Sequence, residues 1–288
     1  MREFPLSLNQ VAFLQEAISS GIRGDGRSLL QTRDPVLSLS TSSCLCTLGN
    51  TVVNSTIDAE IIAPFVDRPQ EGVVNFFTHF SPTAAPDTSD LDSSSINRVV
   101  ERIYRDTQCV ELQSLCVTAG KRVWKLEVHS TILVHGGNII DALVLNITCL
   151  LKNFKLPVVF INEEGESEVQ PITLQPPIPL PLFHLPLSVT FAIIQDSLVV
   201  DPNVDEESIA DCVLSIVLNL HNEICGVFMN ASRNSISREY LFNCIELAKS
   251  EIPSRHEYLT AVKREGVCEN VTESLKSLVV EEPLDLED

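Results

Sequence analysis

The sequence predicts an α+β fold, and three observations support this class. Apolar residues alternate with polar ones in some segments, as in β-strands, and recur every three to four residues in others, as in helices. A strand, a glycine turn and a buried helix follow one another between residues 122 and 151. Hydrophobic residues make up 44% of the 288 residues and charged residues 20%, so a folded protein with a sizeable core is expected.

Local signals mark the first helix and the first strands. Ser7 and Gln10 have capping-box spacing ahead of a periodic apolar run, which predicts an amphipathic helix ending at Gly21. From Val36 to Ala63, strands separated by the Gly49-Asn50 turn are expected.

The helix predicted from Ser95 to Thr107 follows a loop over residues 81–95 that is rich in Pro, Ser and Asp. Its apolar residues share one face: Ile96, Val99, Val100 and Ile103. Three arginines fall on the opposite face at positions i, i+4 and i+7: Arg98, Arg102 and Arg105. The spacing alone leaves two interpretations open. Glu101 and Asp106 pair with the arginines on a solvated face, or the face binds nucleic-acid phosphates.

The glycine turn lies between a long strand predicted from Arg122 to His135 and an apolar helix predicted from Ile139 to Leu151. It contains Gly136 and Gly137. A turn of this kind at a helix N-terminus can hold phosphate. No Lys, Arg or Thr follows it directly, so a structural turn is favoured.

The segment from Val169 to Gln195 is uncharged, but its six prolines exclude a membrane-spanning helix. We interpret it as an extended connection followed by a strand, and as the boundary between two parts of the chain. The predicted divisions are residues 1–185, residues 186–265 and an acidic C-terminal tail at 266–288. The second part is expected to contain strands at Leu187–Ile194, Ser197–Val200 and Ile224–Met229, and helices at Asp205–Leu220, Ser235–Ser250 and Arg255–Arg264.

The net charge of −19 argues against a general polyanion-binding protein. Residues 1–130 hold 11 basic and 15 acidic side chains (net −4), and residues 131–288 hold 9 and 24 (net −15). The first half can therefore present a basic patch, and only a local one.

The nine cysteines are odd in number and form no C-x-x-C pair, which indicates reduced thiols and a location in the cytosol or nucleus. Cys44 and Cys46 lie two residues apart in a predicted strand. We interpret them as packing residues on one face rather than as metal ligands, because no partner pair completes a zinc site.

Several motifs, in order along nearly the whole chain, resemble the motifs of one known family. Arg23-Gly24-Asp25-Gly26-Arg27 is similar to the R-x-D-G-R signature that opens RNase PH-type domains. The other matching segments are Leu48–Val53 followed by Glu60, Arg98–Arg105, Leu115–Trp124, Gly136–Ala142, Pro186–Phe191 and Val200–Pro202. Within the family, the later segments are similar to the non-catalytic RNase PH-like subunits of the eukaryotic exosome ring.

The resemblance implies the RNase PH fold, which is ribosomal protein S5 domain 2-like, with two similar halves of mixed sheets packed by helices. It also implies a degenerate site. Phosphorolytic members of the family carry Thr-Arg directly after the Gly-Gly turn to hold inorganic phosphate, whereas this chain has Asn138 and Ile139. Phosphoryl transfer depends on positioning and charge stabilisation. We therefore expect no catalytic residues, no metal and no cofactor.

By the same resemblance, the arginine helix faces the ring's central channel and contacts single-stranded RNA. The expected RNA-binding residues are Arg98, Arg102, Arg105 and Lys121. The implied partners are other RNase PH-like subunits of a hexameric ring, S1/KH-type cap subunits and a catalytic exoribonuclease, with no membrane. The implied locations are the nucleus, the nucleolus and the cytoplasm.

The alternative is a phosphate-dependent 3′–5′ exoribonuclease whose site is shared with a neighbouring subunit. The arginines would then hold phosphate, and Asp201, Asp205 or Asp211 would hold a metal. The helix signal makes Asp205-Glu206-Glu207 a first-turn charge cluster instead. A role of the acidic tail as a protein adaptor is compatible with the ring subunit.

Overall fold

The computed structural model describes residues 6–82, 84, 90–161, 167–169, 176–195, 197–230 and 237–262. The predicted acidic tail at 266–288 lies outside these residues. So do the end of the helix expected at 255–264, residues 83 and 85–89 of the loop expected at 81–95, and part of the proline-rich connection. Residues 90–95 of that expected loop are helical instead, so the helix begins five residues earlier than predicted.

The described residues form five α-helices: α1 Leu8–Ser19, α2 Asp90–Glu101, α3 Ile139–Asn153, α4 Val204–Ile209 and α5 Arg238–Ala261. A π-helical turn at Arg102–Asp106 follows α2, and a 3₁₀ turn spans Leu112–Leu115. The strands are β1 Pro35–Leu39, β2 Ser43–Leu48, β3 Thr51–Ile62, β4 Val73–Phe80, β5 Cys116–Thr118, β6 Arg122–Val134, β7 Lys155–Leu156, β8 Val159–Ile161, β9 Ser167–Val169, β10 Ile178–Pro179, β11 Leu187–Ile194, β12 Ser197–Val200, β13 Cys212–Leu218 and β14 Ile224–Asn230.

Two sheets organise the molecule. The first has the order β1-β2-β3-β6-β4, with β5 also beside β6, and β4 runs parallel to β6 while the other pairs are antiparallel. The second is entirely antiparallel, in the order β12-β11-β13-β14, rather than mixed as expected. Helix α3 packs against strands of both sheets, and every residue from Asp141 to Leu151 is buried. One continuous core therefore joins the two halves.

Most local predictions for the first half are confirmed. Ser7 and Gln10 form the capping box of α1. The Gly49-Asn50 turn joins β2 to β3. The buried thiols of Cys44 and Cys46 face the core from β2. Strand β4 was not predicted, because its partner β6 lies far along the chain and parallel pairing leaves no turn signal.

Two helix predictions in the second half are wrong. The helix expected at Asp205–Leu220 ends at Ile209, and Cys212–Leu218 is the strand β13 between β11 and β14. A central strand buried on both faces is a continuous apolar run, which periodicity does not separate from a buried helix. The two helices expected around residue 253 are the single helix α5, which continues through Pro253.

Candidate functional site

The three predicted arginines are all exposed, but the helix that carries them changes type. Arg98 is exposed on α2, whereas Arg102 and Arg105 are exposed on the π-helical turn. Ile103 and Tyr104 anchor this turn in the core. Because Ile103 and Tyr104 are buried, the arginines beside them remain exposed to solvent, as the apolar periodicity predicted.

Arg102 is only loosely engaged. Its Nε lies 3.9 Å from a carboxylate oxygen of Asp106, and both side chains are about two-thirds exposed (65% and 66%). Its guanidinium also lies 5.7 Å from the ring centroid of Phe228 on β14. Among the described residues, no ion pair is recorded for Arg98 or Arg105. A weak, exposed ion pair leaves Arg102 available to another anion.

Lys121 is exposed in the turn before β6, apart from the arginine surface in sequence. The backbone N–H of the preceding Gly120 donates to the carbonyl of Pro69 at 2.8 Å. The loop at residues 65–72 therefore adjoins the Lys121 turn. The same loop lines a cavity with Arg105, so it lies beside both predicted contacts.

The Gly-Gly turn forms a second polar site at the N-terminus of α3. Asn138 adopts a left-handed conformation (φ 54°) and begins the helix. Its backbone N–H donates to Glu207 Oε1 at 2.8 Å, and its side-chain amide donates to Asp201 Oδ1 at 2.6 Å and to Asp141 Oδ2 at 3.1 Å. Carboxylates of the chain itself therefore occupy the position where this helix end would bind an anion.

Asp201 is the centre of this polar site. Its carboxylate accepts hydrogen bonds from the Arg33 guanidinium at 2.7 and 2.8 Å and from Arg27 at 3.0 Å. Burial by itself raises the pKa of Asp201, but the hydrogen bonds and charge of Arg33 outweigh it and hold that pKa below its usual value. Asp201 is therefore an ionised, fully paired carboxylate.

Two glutamates of α4 connect the halves of the molecule. Glu206 pairs with the buried guanidinium of Arg23 at 2.6 Å. Glu207 accepts the N–H of Asn138, and burial raises the pKa of Glu207 to about 7. Together with Asp205 they form the first turn of α4, as the helix signal predicted. The Arg23 signature thus has a structural role between the two sheets.

The alternative hypothesis of an enzyme needs a metal site built from Asp201, Asp205 or Asp211, and the structure does not gather these acids into a metal centre. Within the described ranges, no group of three or more His, Cys, Asp or Glu side chains is placed to hold a metal ion. Asp211 instead accepts the N–H of Gln195 at 2.8 Å, and Asp201 is paired with arginines.

Sequence comparisons identify both halves. Residues 25–157 match domain 1 of the 3′ exoribonuclease family, RNase PH, and residues 184–251 match domain 2. The chain belongs to the RNase PH family. The resemblance read from the motifs is therefore confirmed.

Relatives of this RNase PH chain are exosome components by name. It is 35% identical to exosome complex component RRP45 of Rattus norvegicus over 86% of this chain and 58% of that protein. It is 30% identical to RRP45A of Arabidopsis thaliana (85% of this chain, 83% of the relative) and 31% identical to Rrp42 of Methanothermobacter thermautotrophicus (85% and 92%). The chain thus spans little more than half the length of the mammalian relatives.

Solved structures confirm the RNase PH fold. An Archaeoglobus fulgidus exosome with RNA bound to the active site superposes with a TM-score of 0.75 at 24% identity, covering 87% of this chain and 97% of the other. An archaeal exosome core gives 0.74 at 23% identity, covering 88% and 96%. No helix in the described part of the chain is long and apolar enough to cross a membrane.

Sequence reasoning missed several residues of the polar site and of the cavity. Arg33 lies in no motif, and Asp141 lies in the Gly136–Ala142 segment but received no predicted role, because the partners of both residues lie far away in the sequence. The loop at 65–72 carried a detectable signal: the adjacent apolar residues Phe65 and Val66 lie in a segment bounded by prolines and a glycine.

Proposed function

We propose that this chain is a catalytically inactive subunit of the exosome core ring, where it lines the channel and guides single-stranded RNA to a 3′–5′ exoribonuclease. The relatives RRP45 and Rrp42 support the assembly. One observation carries the proposal. The N-terminus of α3 is closed by Glu207 and Asp201, while the arginines at 98, 102 and 105 remain exposed.

Electrostatics support inactivity. A phosphate approaching the N–H of Asn138 would meet the carboxylate of Glu207, which already accepts that N–H, and the ionised carboxylate of Asp201. The like charges of Asp201 and phosphate repel strongly in a partly buried site, and Glu207, whose pKa burial raises to about 7, occupies the N–H of Asn138 whether or not it is ionised. The residue after the Gly-Gly turn is an amide, and the next is Ile139, so neither supplies a positive charge. Without an anchored phosphate, phosphorolysis loses its nucleophile.

The ring role is favoured over the enzyme with a shared site. Asp201 and Asp211, two of the acids that the enzyme would use for metal, are engaged within the chain by Arg33 and Gln195. Freeing Asp201 for a metal would leave a partly buried guanidinium without its counter-ion.

The exposed cations supply the RNA contact. Arg98, Arg102, Arg105 and Lys121 are all exposed, and the net charge of −19 disfavours contact of RNA with most of the remaining surface. We extend the proposal to the partners implied by the family: neighbouring RNase PH-like subunits, S1/KH-type caps and a catalytic exoribonuclease, in the nucleus, the nucleolus and the cytoplasm. We also propose the division of the chain at residues 185 and 186, with an acidic tail from 266.

Crosslinking and affinity of single-stranded RNA to the reconstituted ring test the RNA path. Arg98→Glu/Arg102→Glu is expected to lose crosslinks and to flatten the salt dependence of binding, by about 0.7 in logarithmic slope per lost phosphate contact. Arg238→Glu/Lys249→Glu on α5 is the matched control with the same change in charge. Unchanged binding by the first variant contradicts the RNA path.

Inactivity has its own measurement. The ring, assembled without separate hydrolytic subunits, is supplied with inorganic phosphate and single-stranded RNA. No nucleoside diphosphates should be released by a site that contains this chain. Release that depends on phosphate and is abolished by Asp201→Asn would establish the enzyme instead.

A further inference from the structure

A cavity of about 290 Å³ lies between the loop at residues 65–72 and the π-helical turn. The rings of Phe76 and Tyr104 are among its buried lining, and they stack with their centroids 5.1 Å apart. Four side chains with more exposure also line it: Phe65, Arg68, Glu71 and Arg105. The cavity thus combines aromatic surface with charged groups at its opening.

The walls of this cavity are held in place by the fold. The hydroxyl group of Tyr104 makes hydrogen bonds with the carbonyl of Val144 at 2.9 Å and with Thr148 Oγ1 at 2.8 Å. The N–H of Gly72 donates to the carbonyl of Leu112 at 2.9 Å and so ties the loop to the 3₁₀ turn, whose Leu112 also lines the cavity. A side chain at Gly72 would collide with Leu115. The cavity is therefore preformed, which lowers the entropic cost of filling it.

Its size and chemistry fit one nucleobase. The volume of about 290 Å³ lies just below the range for drug-sized ligands, which begins at about 300 Å³, as expected for a site that receives a single base. The ring of Phe65 is 63% exposed, and an exposed aromatic ring beside cations is the arrangement on which single-stranded nucleic acids stack. The carboxylate of Glu71 accepts a long hydrogen bond from Arg68 Nη1 at its Oε2, at 3.4 Å, and its other oxygen can accept an N–H of a base. Arg68 and Arg105 flank the opening, and the Lys121 turn adjoins the same loop.

We propose that this cavity receives the base of one nucleotide of a single-stranded RNA. Phe65 stacks on the base, and Arg68 and Arg105 bind the adjacent phosphates. This assignment rests on the proposed function, since the arginine surface brings the RNA to the opening. It adds a stacking contact, insensitive to salt, to a surface that otherwise binds through charge.

The test uses the reconstituted ring and a fluorescently labelled single-stranded oligoadenylate. Phe65→Ala is expected to weaken binding about tenfold, within the range for one lost stacked base. The salt dependence should keep its slope, because no charge is removed. Phe65→Trp should retain the wild-type affinity. Phe13→Ala on α1 removes a phenylalanine of similar exposure, 69%, and should change nothing.

Arg68→Gln completes the series. It should weaken binding and reduce the logarithmic salt slope by about 0.7, the value for one phosphate contact on a single strand. An unchanged slope would overturn the assignment of Arg68 to a phosphate.

If Phe65→Ala and wild type bind the oligoadenylate with equal affinity, the proposal that the cavity receives a base is overturned. If Arg98→Glu/Arg102→Glu still weakens binding in that case, the RNA path stands and only the cavity assignment fails. If neither variant weakens binding, the proposed function fails as well. Loss of ring assembly by Phe65→Ala, with assembly retained by Phe13→Ala, would identify the cavity as a protein contact and also overturn the proposal.

Discussion

Replacing Arg23 by methionine should strongly destabilise the chain, because Arg23 and Glu206 form a buried ion pair. Arg23 is 2% exposed and Glu206 is 3% exposed. The guanidinium donates to both carboxylate oxygens of Glu206, at 2.9 and 2.6 Å, and to the carbonyls of Val200 and Asp201, at 2.9 Å each. Arg23→Met leaves the carboxylate buried without its counter-ion. The expected loss in the free energy of unfolding is about 3–5 kcal/mol.

The double variant Arg23→Met/Glu206→Gln isolates the cause of this loss. Glutamine removes the charge but keeps an oxygen that can accept the N–H of Asn203, as Glu206 does at 2.8 Å. Because no unpaired charge remains, the double variant should lose less than half as much as Arg23→Met alone.

Urea unfolding followed by tryptophan fluorescence measures these differences. Trp124 is the single tryptophan of the chain and is 6% exposed, so its emission reports loss of the core. Lys249→Gln breaks an exposed pair with Glu246 and serves as the control, with an expected change within about 0.5 kcal/mol. The reasoning is refuted if Arg23→Met lies within about 1 kcal/mol of wild type, or if the double variant is as unstable as the single one.

Two further predictions concern the Gly-Gly turn. Burial lowers the pKa of His135 to about 4 from 6.5, so at this group the folded state binds fewer protons than the unfolded state between these values, and the contribution of His135 to stability falls as the pH drops from 6.5 towards 4. The raised pKa of Glu207 acts in the opposite direction over much of this range, so the effect of His135 is measured as the difference between wild type and a variant. His135→Asn keeps an acceptor for the N–H of Gly137 but has no group that titrates. In urea unfolding at several pH values, wild type should lose about 2 kcal/mol more of its free energy of unfolding than this variant by pH 5. Parallel pH profiles of the two proteins would contradict this. Gly137 has φ +92°, and a Cβ there would lie 2.5 Å from the backbone of Asn203. Gly137→Ala should therefore lower the free energy of unfolding by at least about 2 kcal/mol. Gly24 has open space around it, so the control Gly24→Ala should lower it by less than about 1 kcal/mol. Equal midpoints of the two variants in thermal unfolding would count against the close approach at Gly137.

The predictions from sequence succeeded where the signal is local. The capping box of α1, the Gly49-Asn50 turn and the exposed arginine face each depend on residues a few positions apart, so the pattern alone identifies them. Prediction failed at Cys212–Leu218, where a buried run has the same apolar character in a helix as in a central strand. Only its pairing with β11 and β14 decides the outcome.

In the candidate site, too, the sequence predicted local features but not the contacts between distant segments. The sequence indicated that Asn138 follows the Gly-Gly turn where phosphorolytic relatives carry threonine. It did not indicate that Glu207, 69 residues later, accepts the N–H of Asn138 and fills the place of an anion. Nor did it show that the loop at 65–72 and Arg105 line one cavity, since these segments come together only in the folded chain, beside the stacked rings of Phe76 and Tyr104.

The sequence by itself determined the family, the α+β class and the exposed arginines, because motifs and apolar periodicity are properties of neighbouring residues. The tertiary structure alone decided the role of the opening signature, in which Arg23 meets Glu206 across 183 residues. It also decided that carboxylates close the N-terminus of α3. The physical reason is that the strength of a charge pair depends on burial and distance, and both arise only when the two sheets pack around α3.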